Sequence, residues 1–107
     1  MGWSVLFVNA AAQAEMAALS VEMRAKFERI VMLMREHGLE KVREPYVKHL
    51  EDKLWEMRLI GRDGIARAIY ITASGQRIVV LRTFAKKTAK TPKRELNLAR
   101  ERAKEVV

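Results

Sequence analysis

The chain has 107 residues, half of them hydrophobic and about a third charged, and it contains no cysteine. This length predicts one domain, residues 1–107, around a single core. The lack of cysteine excludes disulfides and thiolate metal sites, so a reducing, cytoplasmic environment is expected. The opening MGWSVLFVNAAAQAEM has no basic n-region and too short an apolar run to span a bilayer, so we expect neither a signal peptide nor a membrane protein.

The positive charge lies in one half of the chain. The formal net charge is +8, but residues 1–52 balance at −1 and residues 53–107 at +9. Such asymmetry indicates a polyanionic partner, most commonly nucleic acid. The alternative is a solvated basic surface that keeps the protein soluble. Four cations outside the predicted strands are the candidate RNA-binding residues: Lys53, Lys90, Lys93 and Arg94.

The first half of the chain predicts a strand followed by two helices. Ser4–Val8 is a short apolar run typical of a buried strand, and Asn9 after it is a suitable helix N-cap. Ser20 is a second N-cap, and Gly38 ends the helix that starts there. The apolar stripe of this second helix consists of Phe27, Ile30, Val31 and Met34.

In the second half the hydrophobic period changes from 3.6 to 2. Leu39–Lys53 is expected to be a polar connection, and three strands follow in an antiparallel meander. Their predicted bounds are Leu54–Ile60, Ile65–Thr72 and Arg77–Phe84. A C-terminal helix should start near Thr91, with Pro92 at its first position. The prediction is an α+β fold: a small twisted antiparallel sheet of about four strands, an N-terminal helical hairpin and a C-terminal helix.

The two predicted hairpins place arginines side by side. Turns centred on residues 62–63 and 74–75 would pair Arg58 with Arg67, Ala73 with Gln76 and, further along, Arg67 with Arg82. Like charges directly opposite each other destabilise a sheet by up to about 1 kcal/mol unless they splay into solvent or share an anion. A guanidinium fork is suited to phosphate. The alternative is that Glu56, on the same face, neutralises Arg58 and the row is a solvated surface.

The remaining residue types favour metal-independent RNA cleavage. The sequence has no cluster with metal-ligand spacing and no glycine-rich phosphate loop, so neither metal nor cofactor is expected. In RNA the 2′-hydroxyl is the nucleophile, and Glu56 is the candidate that takes its proton while arginines stabilise the phosphorane. A lysine such as Lys86 or Lys87 would support the leaving 5′-oxygen. His49 is either an assisting group or an incidental loop histidine.

Three stretches in this order resemble the RelE/ParE superfamily of bacterial toxins, in its HigB-like, phage-derived branch. They are PYVKHLEDKLWEMR, GRDGIARAIY and IVVLRTFAKKTAKTPKRELNLARERAKE, and together they cover Pro45 to Glu105. By position, Arg67 matches the family's arginine on the middle strand of the meander. Glu56 and Arg58 match its acidic and basic positions on the preceding strand. Lys86 and Lys87 follow the last strand, where relatives place further catalytic groups.

The resemblance implies a toxin that enters the ribosomal A site and cuts mRNA during translation. It also implies neutralisation by a cognate antitoxin, commonly a helix-turn-helix protein. Many relatives carry a tyrosine or histidine near the end of the last strand or the C-terminus, whereas this chain has Phe84–Lys87 and Glu105–Val107 there. The general acid is therefore left open.

Two alternatives to the nuclease remain open. The ParE branch, which poisons DNA gyrase and is not a nuclease, shares the fold. A phage-derived nucleic-acid-binding accessory protein is the other alternative. Glu56 beside several arginines favours the nuclease, because a gyrase binder needs no general base.

Overall fold

The computed structural model describes residues 2–62, 64–86 and 90–107, apart from the side chain of Lys86. This part of the chain forms an α+β fold with five strands and three α-helices, and so confirms the predicted fold class. The elements in chain order are β1 Ser4–Phe7, α1 Ala10–Ala17, α2 Val21–His37, β2 Val47–Glu51, β3 Leu54–Gly61, β4 Gly64–Ala73, β5 Arg77–Lys86 and α3 Lys93–Ala103. None of the helices in these ranges is long and apolar enough to cross a bilayer.

The predicted helix boundaries in the first half are confirmed. The Asn9 side chain accepts a hydrogen bond from the Ala12 N–H at 2.9 Å, and Ser20 accepts one from the Met23 N–H at 3.2 Å. These bonds satisfy backbone donors that the first turn of a helix leaves unpaired. Gly38 ends α2 with φ 86°, in the region that favours glycine. Near the C-terminus the prediction is off by one residue, because Pro92 is the N-cap of α3 and not its first residue.

The sheet has five strands in the order β1-β5-β4-β3-β2, one more than the predicted number of about four. The additional strand is β2, which lies within the segment predicted to be a polar connection. Its sequence VKHLE lacks a clear alternation and carries charges, as is common in edge strands. The sheet is also mixed, because β1 runs parallel to β5. The long connection between these two strands permits a parallel arrangement.

Helices cover both faces of the sheet. On one face α2 packs its predicted stripe against the sheet, and the buried sheet residues there include Met57, Leu59, Ala68, Tyr70, Ile78 and Val80. On the other face α3 packs through Leu96 and Ala99 over a smaller cluster, whose sheet residues are Leu54, Ile69, Ile71, Val79, Leu81 and Phe84. Glu56 and Arg67 are buried polar residues of the sheet, so they are placed by packing on neighbouring strands and not by a loop.

The register confirms one predicted arginine pair and contradicts the other. Arg58 lies opposite Arg67 across β3 and β4, as predicted. Arg67, however, lies opposite Phe84, and Arg82 lies opposite Ile69. The predicted row of three is therefore wrong. One cause is the turn, which pairs Ala73 with Arg77 and not with Gln76.

The second cause is a β-bulge. Tyr70 pairs with Val80 while Ile69 pairs with Arg82, which leaves Leu81 as an extra residue in β5. The turn and the bulge each shift the register by one residue. Together they move Arg82 two positions along the strand, away from Arg67. Arg82 therefore belongs to a different group of side chains.

Candidate functional site

A buried carboxylate lies between two arginines on adjacent strands. The Glu56 side chain is 0% exposed, and its Oε2 accepts a hydrogen bond from Arg67 Nη1. The Nε of Arg58 lies 3.7 Å from the same oxygen. The second oxygen, Oε1, accepts a hydrogen bond from the Thr91 hydroxyl at 2.8 Å. We call Glu56, Arg58, Arg67 and Thr91 the Glu56 cluster.

The Glu56 cluster carries more positive than negative charge, because two guanidinium groups share one carboxylate. The Nε atoms of Arg58 and Arg67 are buried and have no hydrogen-bond partner among the described residues. Burial lowers the pKa of the Arg67 guanidinium from its ordinary value, although a guanidinium stays charged at neutral pH. The cluster therefore has a surplus of positive charge and two N–H donors without an acceptor among the described residues.

A cleft of about 250 Å³ opens onto this cluster. The polar residues in its wall are Lys48, His49, Glu51, Glu56, Arg67, Lys90 and Thr91. His49 lies on β2, not in the loop that the sequence suggested, and its ring packs 4.8 Å from the ring of Trp55. The cleft thus brings together a carboxylate, a hydroxyl and several cations, groups that phosphodiester chemistry uses. The His49 ring packs instead on Trp55, on the opposite face of the sheet from Glu56, and its Nε2 lies 2.8 Å from the Asp52 carbonyl oxygen.

Arg82 is not part of the Glu56 cluster. Its Nε lies 2.7 Å from Glu95 Oε1 on α3, and its Nη1 lies 2.7 Å from Glu15 Oε2 on α1. Arg102 donates to both oxygens of Glu15, at 2.8 and 2.9 Å. In this second group, the Glu15 cluster, two arginines face two carboxylates. The contacts tie α1 and α3 to β5, and they place Arg82, predicted as a catalytic residue, with these carboxylates and not with Glu56.

The electrostatics of the Glu15 cluster agree with a structural role. Partial burial acts to raise the pKa of Glu15, but hydrogen bonds from Arg102, the Thr83 N–H and Arg82 bring the net pKa below its ordinary value. The hydrogen bond with Glu95 chiefly raises the pKa of Arg82, against the opposing effect of burial. The two arginines thus stabilise the charged form of Glu15, and the two carboxylates stabilise the charged form of Arg82.

The remaining predicted site residues are dispersed. Lys90 lines the cleft at Glu56, whereas Lys53 lies in the β2–β3 turn beside a different depression that also contains Arg100. Lys93 and Arg94 are exposed in the first turn of α3, and Arg94 Nε lies 3.9 Å from Glu95. Lys86 is the last residue of β5, but its side chain and the whole of Lys87 lie outside the described residues.

Sequence reasoning missed Thr91 and Lys48. Thr91 was expected only near the start of α3, yet its hydroxyl contacts a carboxylate 35 residues earlier in the chain. Lys48 lies directly opposite Glu56 on the unpredicted strand β2. Hydrophobic periodicity in the sequence could not identify either residue. The position of each relative to Glu56 depends on the tertiary structure. Within residues 2–62, 64–86 and 90–107, no group of three or more His, Asp or Glu side chains is arranged to hold a metal ion.

Comparison with known protein families shows to which family the chain belongs. The sequence profile of the family described as phage derived protein Gp49-like (DUF891) matches residues 14–104. This range includes both helices that flank the sheet, all of β2 to β5, and every residue of the Glu56 and Glu15 clusters. No curated protein matches the chain.

Proposed function

The chain belongs to the phage-derived Gp49-like family, a RelE- and toxin-like family, and we propose that it is the toxin of a type II toxin–antitoxin pair that cuts mRNA on the ribosome. Its partners would be the ribosome with its mRNA and a cognate antitoxin, with a helix-turn-helix protein as the expected type. The proposal places the chain in the HigB-like branch and in the cytoplasm.

One observation carries the proposal: a fully buried carboxylate is held between two arginines at the floor of a cleft. A buried charge is costly unless it is paired, and a surplus cation beside it is costlier still. A fold that only needed stability would gain from a neutral or apolar group here. The arrangement is well suited to an arriving phosphate, whose charge would complete the pairing of Arg58 and Arg67.

The chemistry follows from these groups. The 2′-hydroxyl oxygen attacks the adjacent phosphorus while the bond from phosphorus to the 5′-oxygen breaks. The products are a 2′,3′-cyclic phosphate and a free 5′-hydroxyl. Arg58 and Arg67 stabilise the charge that grows on the phosphorane oxygens, a contribution that is large in a site shielded from water.

We assign the proton acceptor to Glu56 Oε1. In the free protein this oxygen accepts a hydrogen bond from Thr91, so a hydroxyl donor is already accommodated at this position. In the substrate complex the 2′-hydroxyl would take the place of Thr91, and its proton would pass to Oε1. A lysine, Lys86 or Lys87, would protonate the leaving 5′-oxygen. The alternative is that Glu56 only orients the two arginines and a lysine acts as the base.

The test is to map the 5′ ends of cellular RNA after brief induction of the protein. We expect new ends in frame within translated codons, and none when translation is first stopped with an initiation inhibitor. Cuts in untranslated RNA would contradict the dependence on ribosomes. Intact mRNA together with blocked DNA replication would replace the proposal by a gyrase-directed toxin.

A further inference from the structure

A second groove lies beside the Glu56 cluster, where α2 passes the edge of β3. It has a volume of about 320 Å³. Its principal lining residues are Lys26, Arg29, Ile30, Tyr46, Arg58 and Ile60. Arg58 belongs to both sites, because its Nε lies 3.7 Å from Glu56 while its side chain lines the groove. The groove therefore leads towards the proposed site of cleavage.

The groove carries positive charge without counterions of its own. Lys26 and Arg29 are three residues apart on α2, so they lie on one face of the helix. Both are exposed, and neither side chain forms an ion pair or hydrogen bond with any described residue. Arg58 adds a third cation, and its carboxylate partner Glu56 is already shared with Arg67. These cations are available for an anionic ligand.

The same groove exposes apolar and aromatic surface. Tyr46 is 46% exposed and Ile60 is 50% exposed. The Tyr46 carbonyl accepts a hydrogen bond from the Arg58 N–H at 2.8 Å, which fixes the tyrosine backbone beside the arginine. Cations along a groove with an aromatic ring among them are characteristic of sites that bind single-stranded nucleic acid, since phosphates contact the cations and a base stacks on the ring.

We propose that this groove binds the single-stranded RNA that leads into the Glu56 cluster. This inference rests on the proposed function and names a surface for its substrate. Backbone phosphates contact Lys26 and Arg29, a base stacks on Tyr46, and Arg58 holds the phosphate at the junction of the two sites. An acidic protein segment would also match the charge, but it would not explain why the groove shares an arginine with the Glu56 cluster.

The first test measures binding of a fluorescent 2′-O-methylated oligouridylate, which cannot be cut because its nucleophile is blocked. The double variant Lys26→Gln, Arg29→Gln removes two contacts. The slope of log K against log salt should fall in magnitude by about 1.4, since each phosphate contact with a single strand contributes about 0.7. The control Arg24→Gln, Lys41→Gln removes the same charge elsewhere and should keep the wild-type slope. Equal slopes in the two double variants would overturn the proposal.

The second variant, Tyr46→Leu, keeps apolar contact but removes stacking. We expect the affinity for the oligouridylate to fall about fivefold or more, at an unchanged salt slope. Wild-type affinity in this variant would contradict the stacking role. If the groove variants bind the oligouridylate normally but lose affinity for an oligoglutamate peptide, the groove serves a protein partner and the proposal is wrong.

The two proposals fail in different ways. A wild-type protein that cuts no mRNA on ribosomes, but binds the oligouridylate through Lys26, Arg29 and Tyr46, would refute the nuclease and leave the groove as an RNA site. A wild-type protein that does cut mRNA, while the groove variants bind and cut like the Arg24, Lys41 control, would refute the groove alone. Melting temperatures within the range of the control show that each variant is folded.

Discussion

Two arginine–glutamate clusters lie on the α3 side of the same sheet, and they differ in charge balance. In the Glu56 cluster two arginines share one buried carboxylate, and a cleft opens onto that carboxylate and Arg67. In the Glu15 cluster two arginines face two carboxylates on α1 and α3. The number of carboxylates per arginine thus distinguishes the proposed RNA site from the cluster that ties α1 and α3 to β5, although the sequence presents similar arginines in both.

The largest expected effect is on Arg67. Arg67→Lys keeps the charge beside Glu56 but loses the guanidinium fork. We expect cleavage on ribosomes to slow by roughly a hundredfold or more, the scale for losing one donor to a transition-state oxyanion. Toxicity on induction should be lost in parallel.

The matched control is Arg82→Lys in the Glu15 cluster. A lysine there still pairs with Glu15 and Glu95, so cleavage should stay close to wild type. Equal loss of activity in the two variants would mean that the clusters do not differ in function.

The next effect concerns stability. Arg82→Met removes the partner of Glu95, which is 6% exposed, and one partner of Glu15. Leaving the buried Glu95 without its hydrogen-bond donor, and Glu15 with one donor fewer, should lower the free energy of unfolding by about 1–3 kcal/mol. Urea denaturation measures it, with the exposed Lys53→Met as the control for loss of one surface charge. A free energy of unfolding equal to that of the control would show that the ion pairs of Arg82 contribute nothing to stability.

The smallest expected effect is the pH dependence of the Glu15 cluster. The pKa of Glu15 is lower in the folded protein than its ordinary value of 4.5. Its contribution to stability is therefore present above the unfolded pKa and is lost as the pH falls through the folded pKa. Glu15→Gln should be less stable than wild type at neutral pH, and the difference should shrink as the pH falls below 4.5 and through the folded pKa. A difference that does not change with pH would rule out this ionic contribution.

Local signals predicted most of the fold. Asn9 and Ser20 were predictable as N-caps, because a short polar side chain at that position can accept a hydrogen bond from the first turn of the helix. The apolar stripe of α2 correctly predicted which face of the helix is buried. The first hairpin was predictable because its register depends on a short turn, which pairs Ile60 with Ile65 as expected. These features depend on residues close together in sequence.

The second hairpin was not predictable from the same signals. Gln76 has a φ of 53°, which residues other than glycine, asparagine and aspartate seldom adopt. The sequence therefore did not indicate that Gln76 belongs to the turn, which is one residue longer than predicted. Leu81 forms a bulge in a run of apolar residues whose pattern does not distinguish one position from the next. Together they remove Arg82 from the candidate site.

The candidate site was therefore predicted in part. Glu56, Arg58 and Arg67 come together because they lie on one well-predicted hairpin. Thr91 could not be assigned to the cluster, because its contact depends on where α3 docks. Nor could the groove cations Lys26 and Arg29, since helical spacing marks them only as surface residues. Whether a cation has a counterion depends on the tertiary structure, because the counterion can come from an element distant in sequence.

The most direct test of the central claim compares Glu56→Gln with Glu95→Gln in single-turnover cleavage of mRNA on programmed ribosomes. Both carboxylates are buried and paired with arginine, so both variants should lose stability, which melting temperatures will show. We expect Glu56→Gln to bind ribosomes normally and to cut at least about a hundredfold more slowly, and we expect Glu95→Gln to cut at nearly the wild-type rate. Near-wild-type cleavage by Glu56→Gln, or an equal loss in both variants, would contradict the claim.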